Sequence, residues 1–228
     1  MNVLVVVAHP DDEVLGAGGT MCRFAREGHR VFVCVLSGEA RARAHRPADN
    51  ELIDDFNSCL KKLGVEKSFI GDFPNIEMNT VSHLHLVQFI EKALMESKAE
   101  LVITHHPSDT NNDHHHTSVA CQAAIRLFQR RPDATDFREL WFMEVPSSTE
   151  WSVDTSTNRF QPNTFMEIGE EGIQTKIEAL ACYRGVMRDY PHPRSVEALR
   201  GLAAYRGAQS GLCYAEGFES AFRRVLHV

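Results

Sequence analysis

Residues 2–8 read NVLVVVA, a continuous apolar run with four valines and no polar alternation. A strand with one solvated face would alternate; this one must be buried on both faces, which is the mark of a parallel sheet covered by helices above and below. The same signature returns at RVFVCVLS (30–37), SFIGDF (68–73), AELVITHH (99–106) and ELWFMEV (139–145). Helical patterns fill the gaps. GAGGTMCRFAREGH (16–29) opens on small residues, DNELIDDFNSCLKKLG (49–64) is amphipathic and stops at Gly64, and further helices are expected over 80–98 and 114–130. Repeated βα units require right-handed crossovers, so the expected class is α/β: a single Rossmann-like doubly wound domain over 1–228 with a mostly parallel central sheet. After RRPDATDF the pattern loosens into a polar loop (147–163) and two helices (170–189 and 194–210), with no internal repeat and no dividing linker.

A chain of 228 residues, 43% hydrophobic, can bury a sizeable core. Its net charge of -7 argues against a general nucleic-acid binder, which needs a basic face. No stretch approaches the ~20 apolar residues of a membrane span, and the apolar start has no basic segment before it. The six cysteines form no CxxC pair and read as reduced, mostly buried small hydrophobes, so a cytoplasmic location is expected. The oligomeric state is open, a homo-oligomer included.

Two strand ends carry unusual chemistry. AHPDDE (8–13) follows the first strand, and HHPSDTNNDHHHT (105–117) follows the fourth. Ligands in open α/β sheets bind beyond the carboxyl ends of the strands. His9 and Asp12 can converge across a proline turn, and His114 can join them from the neighbouring loop. Two imidazoles and one carboxylate leave a coordination position for water, as catalytic zinc sites do, and a cation would offset the repulsion among the carboxylates. Non-haem iron(II) suits the same donors. Taken singly, HPDD reads equally well as an acidic helix start and HHH as a solvated loop; their placement at two sheet ends favours a site. GAGG (16–19) lacks the spacing of a phosphate loop, and close helix packing explains its small residues.

With those residues in view, the chain resembles the PIG-L/LmbE family of metal-dependent N-deacetylases, which act on N-acetylated amino sugars and their conjugates. AHPDDE is paired with a D-x-N-x-D-H pattern ending at His114, and SGE (37–39), FPN (73–75), SSTEW (147–151), PHPRS (191–195) and YRGAQSGLCYAEGF (205–218) extend the likeness along nearly the whole chain. The resemblance implies His9, Asp12 and His114 as metal ligands, Zn2+ as the usual ion with Fe2+ as another divalent choice, and Asp11 as general base. It places Asp113 beside the ligand, as a supporting or catalytic-loop residue. The implied activity is hydrolysis of a linear amide, releasing acetate from a small N-acetylated sugar, free or nucleotide- or lipid-linked. The rivals are an amidase on another sugar conjugate and a non-catalytic sugar- or metal-binding module.

Many members of the family have a histidine where this sequence has Asn111, which can donate a hydrogen bond but cannot titrate. His192, held between two prolines, is the expected replacement, ahead of His105, His106, His115 and His116. Arg41, Arg43 and Arg46 in EARARAHR, together with Arg194, are candidate anion contacts on substrate or simply a solvated basic surface. Trp141, Trp151 and Phe160 suit either sugar stacking or the core.

Overall fold

The computed structural model describes residues 1–39, 49–153 and 158–225. Its strands are β1 (Asn2–Val7), β2 (Arg30–Val35), β3 (Lys67–Ile70), β4 (Leu101–His105), β5 (Glu139–Met143), β6 (Thr164–Glu167) and β7 (Ala215–Arg223). The helices are α1 (Asp12–Arg26), α2 (Asp49–Leu63), α3 (His83–Ser97), α4 (Asn112–Phe128), α5 (Gly169–Leu180) and α6 (Val196–Ser210). One seven-stranded sheet runs in the order β3-β2-β1-β4-β5-β7-β6. β3 through β5 in that order are parallel, and β7 and β6 add an antiparallel flank. The class is the doubly wound α/β arrangement that the apolar runs imply.

The strand runs are apolar throughout because both faces are covered. Val3, Val5 and Val7 face one way and share a core with Leu15 of α1, Phe56 of α2 and Ile177 of α5. Leu4 and Val6 face the other way and share a core with Ile90 and Leu94 of α3 and Ala124 of α4. In register, Val5 lies between Val33 of β2 and Ile103 of β4, so each face is a continuous apolar layer. Each fully buried side chain of this size contributes roughly 1.5–3 kcal/mol, before the entropy of ordering the chain is set against it.

Two differences from the sequence expectation have physical causes. Helix α1 opens at Asp12 and not at Gly16, because the turn through Pro10 and Asp11 already reverses the chain. The small residues lie inside the helix, where it packs tightly: a Cβ on Gly19 would stand 2.8 Å from Ile168. At Ala17 the helix leaves helical geometry (φ -141°, ψ 18°), which frees amides downstream. The buried Glu216 carboxylate accepts from the Gly19 and Thr20 N–H groups at 3.1 and 2.7 Å, and Lys176 Nζ donates to it at 2.6 Å. The antiparallel β6–β7 pair was not expected. β7 passes from buried to solvated residues along its length, and β6 is a four-residue edge strand, so neither shows the apolar run that marks the parallel strands.

Candidate metal centre and active site

β1 lies between β2 and β4 in the sheet. The chain leaves β1 toward β2 and later returns to β4 on the other side, so the loops after β1 and β4 part and leave a crevice at their carboxyl ends. The two ligand-rich segments meet in this crevice. A cleft of about 280 Å³ opens there, lined among others by His9, Asp11, Asp12, Asn111, His114 and Arg194.

His9, Asp12 and His114 are buried, and one ligand atom from each lies within 4.8 Å of the others. Asp12 Oδ2 is the hub. It stands 3.4 Å from His9 Nδ1 and 3.2 Å from His114 Nε2, and it accepts the His9 backbone N–H at 2.9 Å. The outward nitrogen of each imidazole is held by another carboxylate. His9 Nε2 lies 2.9 Å from Asp113 Oδ2, and His114 Nδ1 lies 3.2 Å from Asp109 Oδ2. With a cation in place, those partners would keep the ring proton on the outer nitrogen and leave the inner lone pair for the ion, the tautomer a metal ligand needs.

The supporting carboxylates are themselves fixed. Asp113 Oδ1 accepts from Met78 N at 3.0 Å, and Asp113 Oδ2 also accepts from Ile76 N. Asp109 accepts from the Asn111 backbone N–H at 2.9 Å, from Thr149 Oγ1 at 2.7 Å, and from Ser148 Oγ. Asn111 caps α4, its side-chain oxygen accepting from Asp113 N at 2.9 Å and His114 N at 3.4 Å. His114 therefore enters the site from a well-capped helix start.

Electrostatics point the same way. Burial works against a charge on His114, but the Asp12 and Asp109 carboxylates outweigh it and lift its pKa to about 10. Burial would raise Asp12, yet His114 and His9 hold it well below the usual carboxylate range. Asp109 is likewise brought down to about 2, against burial, chiefly by His114. The cluster thus retains a proton on an imidazole to balance its carboxylates, and a divalent cation would take that place. The donor set fits one ion.

A second group, His105, Asp109 and His114, is also close enough to share a cation. It does not fit one. His105 Nε2 already accepts the Ala8 backbone N–H at 2.9 Å, so Nδ1 carries the hydrogen, and Nδ1 finds no partner among the described residues. Burial and the neighbouring His114 hold this imidazole neutral, with its pKa down at about 3. It stacks on His114 at 3.9 Å and supports that ring.

Asp11 stands beside the three candidate ligands in a different backbone conformation. Its backbone is left-handed (φ 101°), unusual for a residue with a Cβ. The Glu13 carboxylate accepts the Asp11 N–H at 3.0 Å, and its other oxygen accepts the Tyr183 hydroxyl at 2.6 Å. Burial pushes the Glu13 carboxyl up to about 7, against the pull of Tyr183 and with the Asp11 charge adding to the rise. The Asp11 side chain faces Arg194, whose Nη1 lies 3.3 Å from Oδ2.

The other sequence candidates fall in three places. Arg41, Arg43 and Arg46 lie outside the described residues. His192 is half-buried and does not line the cleft; its Nδ1 accepts the Arg194 backbone N–H at 3.0 Å. Trp141 is core, Trp151 is exposed, and Phe160 packs edge-on against the buried His106. SGE, FPN and SSTEW bring Glu39, Asn75, Ser147 and Ser148 to the cleft wall. Sequence reasoning missed the roles of Asp109, Ser148, Thr149 and the Glu13–Tyr183 pair. For Asp109 a signal existed, a further carboxylate inside the same ligand-rich loop.

A doubly wound α/β protein with a buried His/Asp candidate metal site at its switch point, and a carboxylate beside it, falls in an enzyme-like class. The chain belongs to the PIG-L family, GlcNAc-PI de-N-acetylase, whose model matches residues 4–125. Over 83 residues it is 35% identical to the 1D-myo-inositol 2-acetamido-2-deoxy-alpha-D-glucopyranoside deacetylase of Streptomyces scabiei, a match spanning 31% of this chain and only 26% of that protein. It is 24% identical to the 4-oxalmesaconate hydratase of Pseudomonas putida across 98% of this chain and 90% of the relative. A conserved protein of Thermus thermophilus superposes with a TM-score of 0.80 at 25% identity, covering all of this chain (100%) and 98% of its own. The family's relatives thus include both sugar deacetylases and hydratases.

Proposed function

We propose that this chain is a zinc-dependent hydrolase that removes the acetyl group from an N-acetylated amino sugar or its conjugate. The observation that carries the reading is the placement of Asp11. A carboxylate outside the ligand set opens on the same cleft as His9, Asp12 and His114. A divalent ion held by those three residues would polarise a carbonyl and make water acidic enough to attack at neutral pH. The chain's own residues do the rest. Asp11 takes a proton from water as the water oxygen bonds to the acetamide carbon, and the carbonyl π pair moves onto oxygen. Asp11 then returns the proton to the amine nitrogen as the C–N bond breaks, so one carboxyl serves as base and acid. Asp109 and Asp113 hold the two imidazoles in orientation, and Asn111, its oxygen committed to the cap, has only its NH₂ group to offer a substrate.

A second reading has its own support: the hydratase relative matches nearly the full chain. Addition of water to a carbon–carbon double bond uses the same base and the same water, with the proton delivered to carbon. An acetate-release screen over N-acetyl sugars, their nucleotide conjugates and their thiol conjugates separates the two, run beside a spectrophotometric assay on unsaturated polycarboxylates. Acetate release from any N-acetyl sugar supports the deacetylase. Loss of the double-bond absorbance with no acetate from any sugar supports the hydratase, and binding of the sugars with neither reaction would mean a binding module.

A further inference from the structure

Arg194 is the one guanidinium or ammonium group among the described residues that line the cleft. It is held firmly at its base. Its backbone N–H donates to His192 Nδ1 at 3.0 Å, and the next residue, Ser195, is fully buried and caps α6 by accepting from Ala198 N at 3.1 Å. At the tip, Nε donates to Ser147 Oγ at 3.2 Å and Nη1 to Asp11 Oδ2 at 3.3 Å. A guanidinium has five N–H groups. Two are used in these contacts, and the described residues offer no partner to the rest, while the side chain remains partly open to the cleft.

Accepting the hydrolytic reading above, on which this inference rests, we propose that Arg194 is the catalytic residue that binds the oxyanion. In the resting site its charge is balanced by Asp11. When Asp11 takes the proton from water, that counter-charge disappears, and in the same step the carbonyl oxygen becomes negative. The guanidinium is thus satisfied by Asp11 before reaction and by the oxyanion during it, an interaction stronger in the transition state than in the ground state. The charge travels from Asp11 to the substrate oxygen, and Arg194, whose Nη1 lies 3.3 Å from Asp11 Oδ2, lines the cleft in which that oxygen would form. Collapse of the intermediate breaks C–N, returns the proton to nitrogen and leaves acetate, whose carboxylate takes the same donors. His192 enters only through its hold on the Arg194 backbone, as a positioning residue.

The test compares wild type, Arg194→Ala and Arg194→Lys at matched metal content, measuring kcat, KM and the affinity for acetate by calorimetry. Removing a pre-organised donor to an oxyanion lowers kcat by about 10²–10³-fold. Arg194→Ala should lose that much kcat with KM nearly unchanged, and bind acetate at least about tenfold more weakly, the loss of roughly one charge-assisted hydrogen bond. Arg194→Lys should recover part of both. Millimolar guanidinium chloride should restore part of the rate of Arg194→Ala, saturably, and do nothing for wild type; a merely structural residue would not respond this way. Wild-type kcat in Arg194→Ala, a loss confined to KM, or unchanged acetate affinity would each overturn the assignment. If wild type releases no acetate from any N-acetyl sugar, the hydrolytic reading has failed, and the oxyanion role fails with it. Acetate affinity in the same variants then still decides whether Arg194 is an anion site.

Discussion

The floor and the rim of the cleft are built in opposite ways. The floor, His9, Asp12 and His114, sits on a strand end and two helix starts, and each imidazole is braced by a carboxylate. The rim carries backbone that residues with side chains avoid. Of the four non-glycine residues with positive φ among the described residues, three line the cleft: Asp11 at 101°, Ile76 at 62° and Ser147 at 76°. The fourth, Lys98, ends α3 in the left-handed conformation common at helix ends. Strain of this kind costs of order 1–3 kcal/mol per residue and persists only where surrounding contacts enforce it. Here the contacts are visible. Glu13 holds Asp11, Asp113 accepts the Ile76 N–H, and the Ser147 N–H donates to Glu150 at 2.7 Å. The floor gathers the candidate cation ligands without left-handed backbone, and the rim spends stability to hold Asp11, the proposed base, beside them.

Substitutions can break this contrast. The largest effect belongs to the floor. His114→Ala should lose most of the bound metal and all measurable turnover, read by elemental analysis and acetate release; full metal occupancy would remove His114 from the ligand set. A step outward, Asp109→Asn should keep the fold and weaken metal affinity by roughly 10–100-fold, the usual cost of removing a partner from a ligating histidine. Competition with a chelator measures this, and an unchanged affinity would mean that Asp109 merely ties the 147–149 segment to α4. The smallest effect lies on the rim. Ile76→Gly removes a β-branched side chain from left-handed backbone at an exposed site, so it should stabilise the protein by about 0.5–1 kcal/mol despite the flexibility that glycine adds to the unfolded chain. Denaturant unfolding would show a higher midpoint; a lower one would mean that the Ile76 side chain, and not the backbone, is what the rim requires.

The same contrast explains what could be read from the sequence. Apolar runs announce the parallel strands because burial on both faces leaves no room for polar residues, and residues 2–7 and 101–105 form strands as their composition demands. That His9, Asp12 and His114 meet as a candidate ligand group is legible because metal chemistry restricts ligand types and because both segments follow strands. The β6–β7 flank is not, since half-solvated strands mix polar and apolar residues. Asp109 with Thr149, and Arg194 with Asp11, are pairings across 40 and 183 residues that only the folded chain makes. The strain at Asp11 and Ile76 leaves no compositional mark, for neither residue type favours left-handed backbone enough to signal it.

The most direct test of the account is Asp11→Asn prepared with full metal, assayed together for metal content and for acetate release from whichever N-acetyl sugar the wild type cleaves. The floor does not include Asp11, so one ion per chain should remain. Removing the base should lower turnover by about 10²–10⁴-fold. Near wild-type turnover in the metal-replete variant, or loss of the metal together with the activity, would contradict the division between a floor that binds the ion and a rim that carries the base.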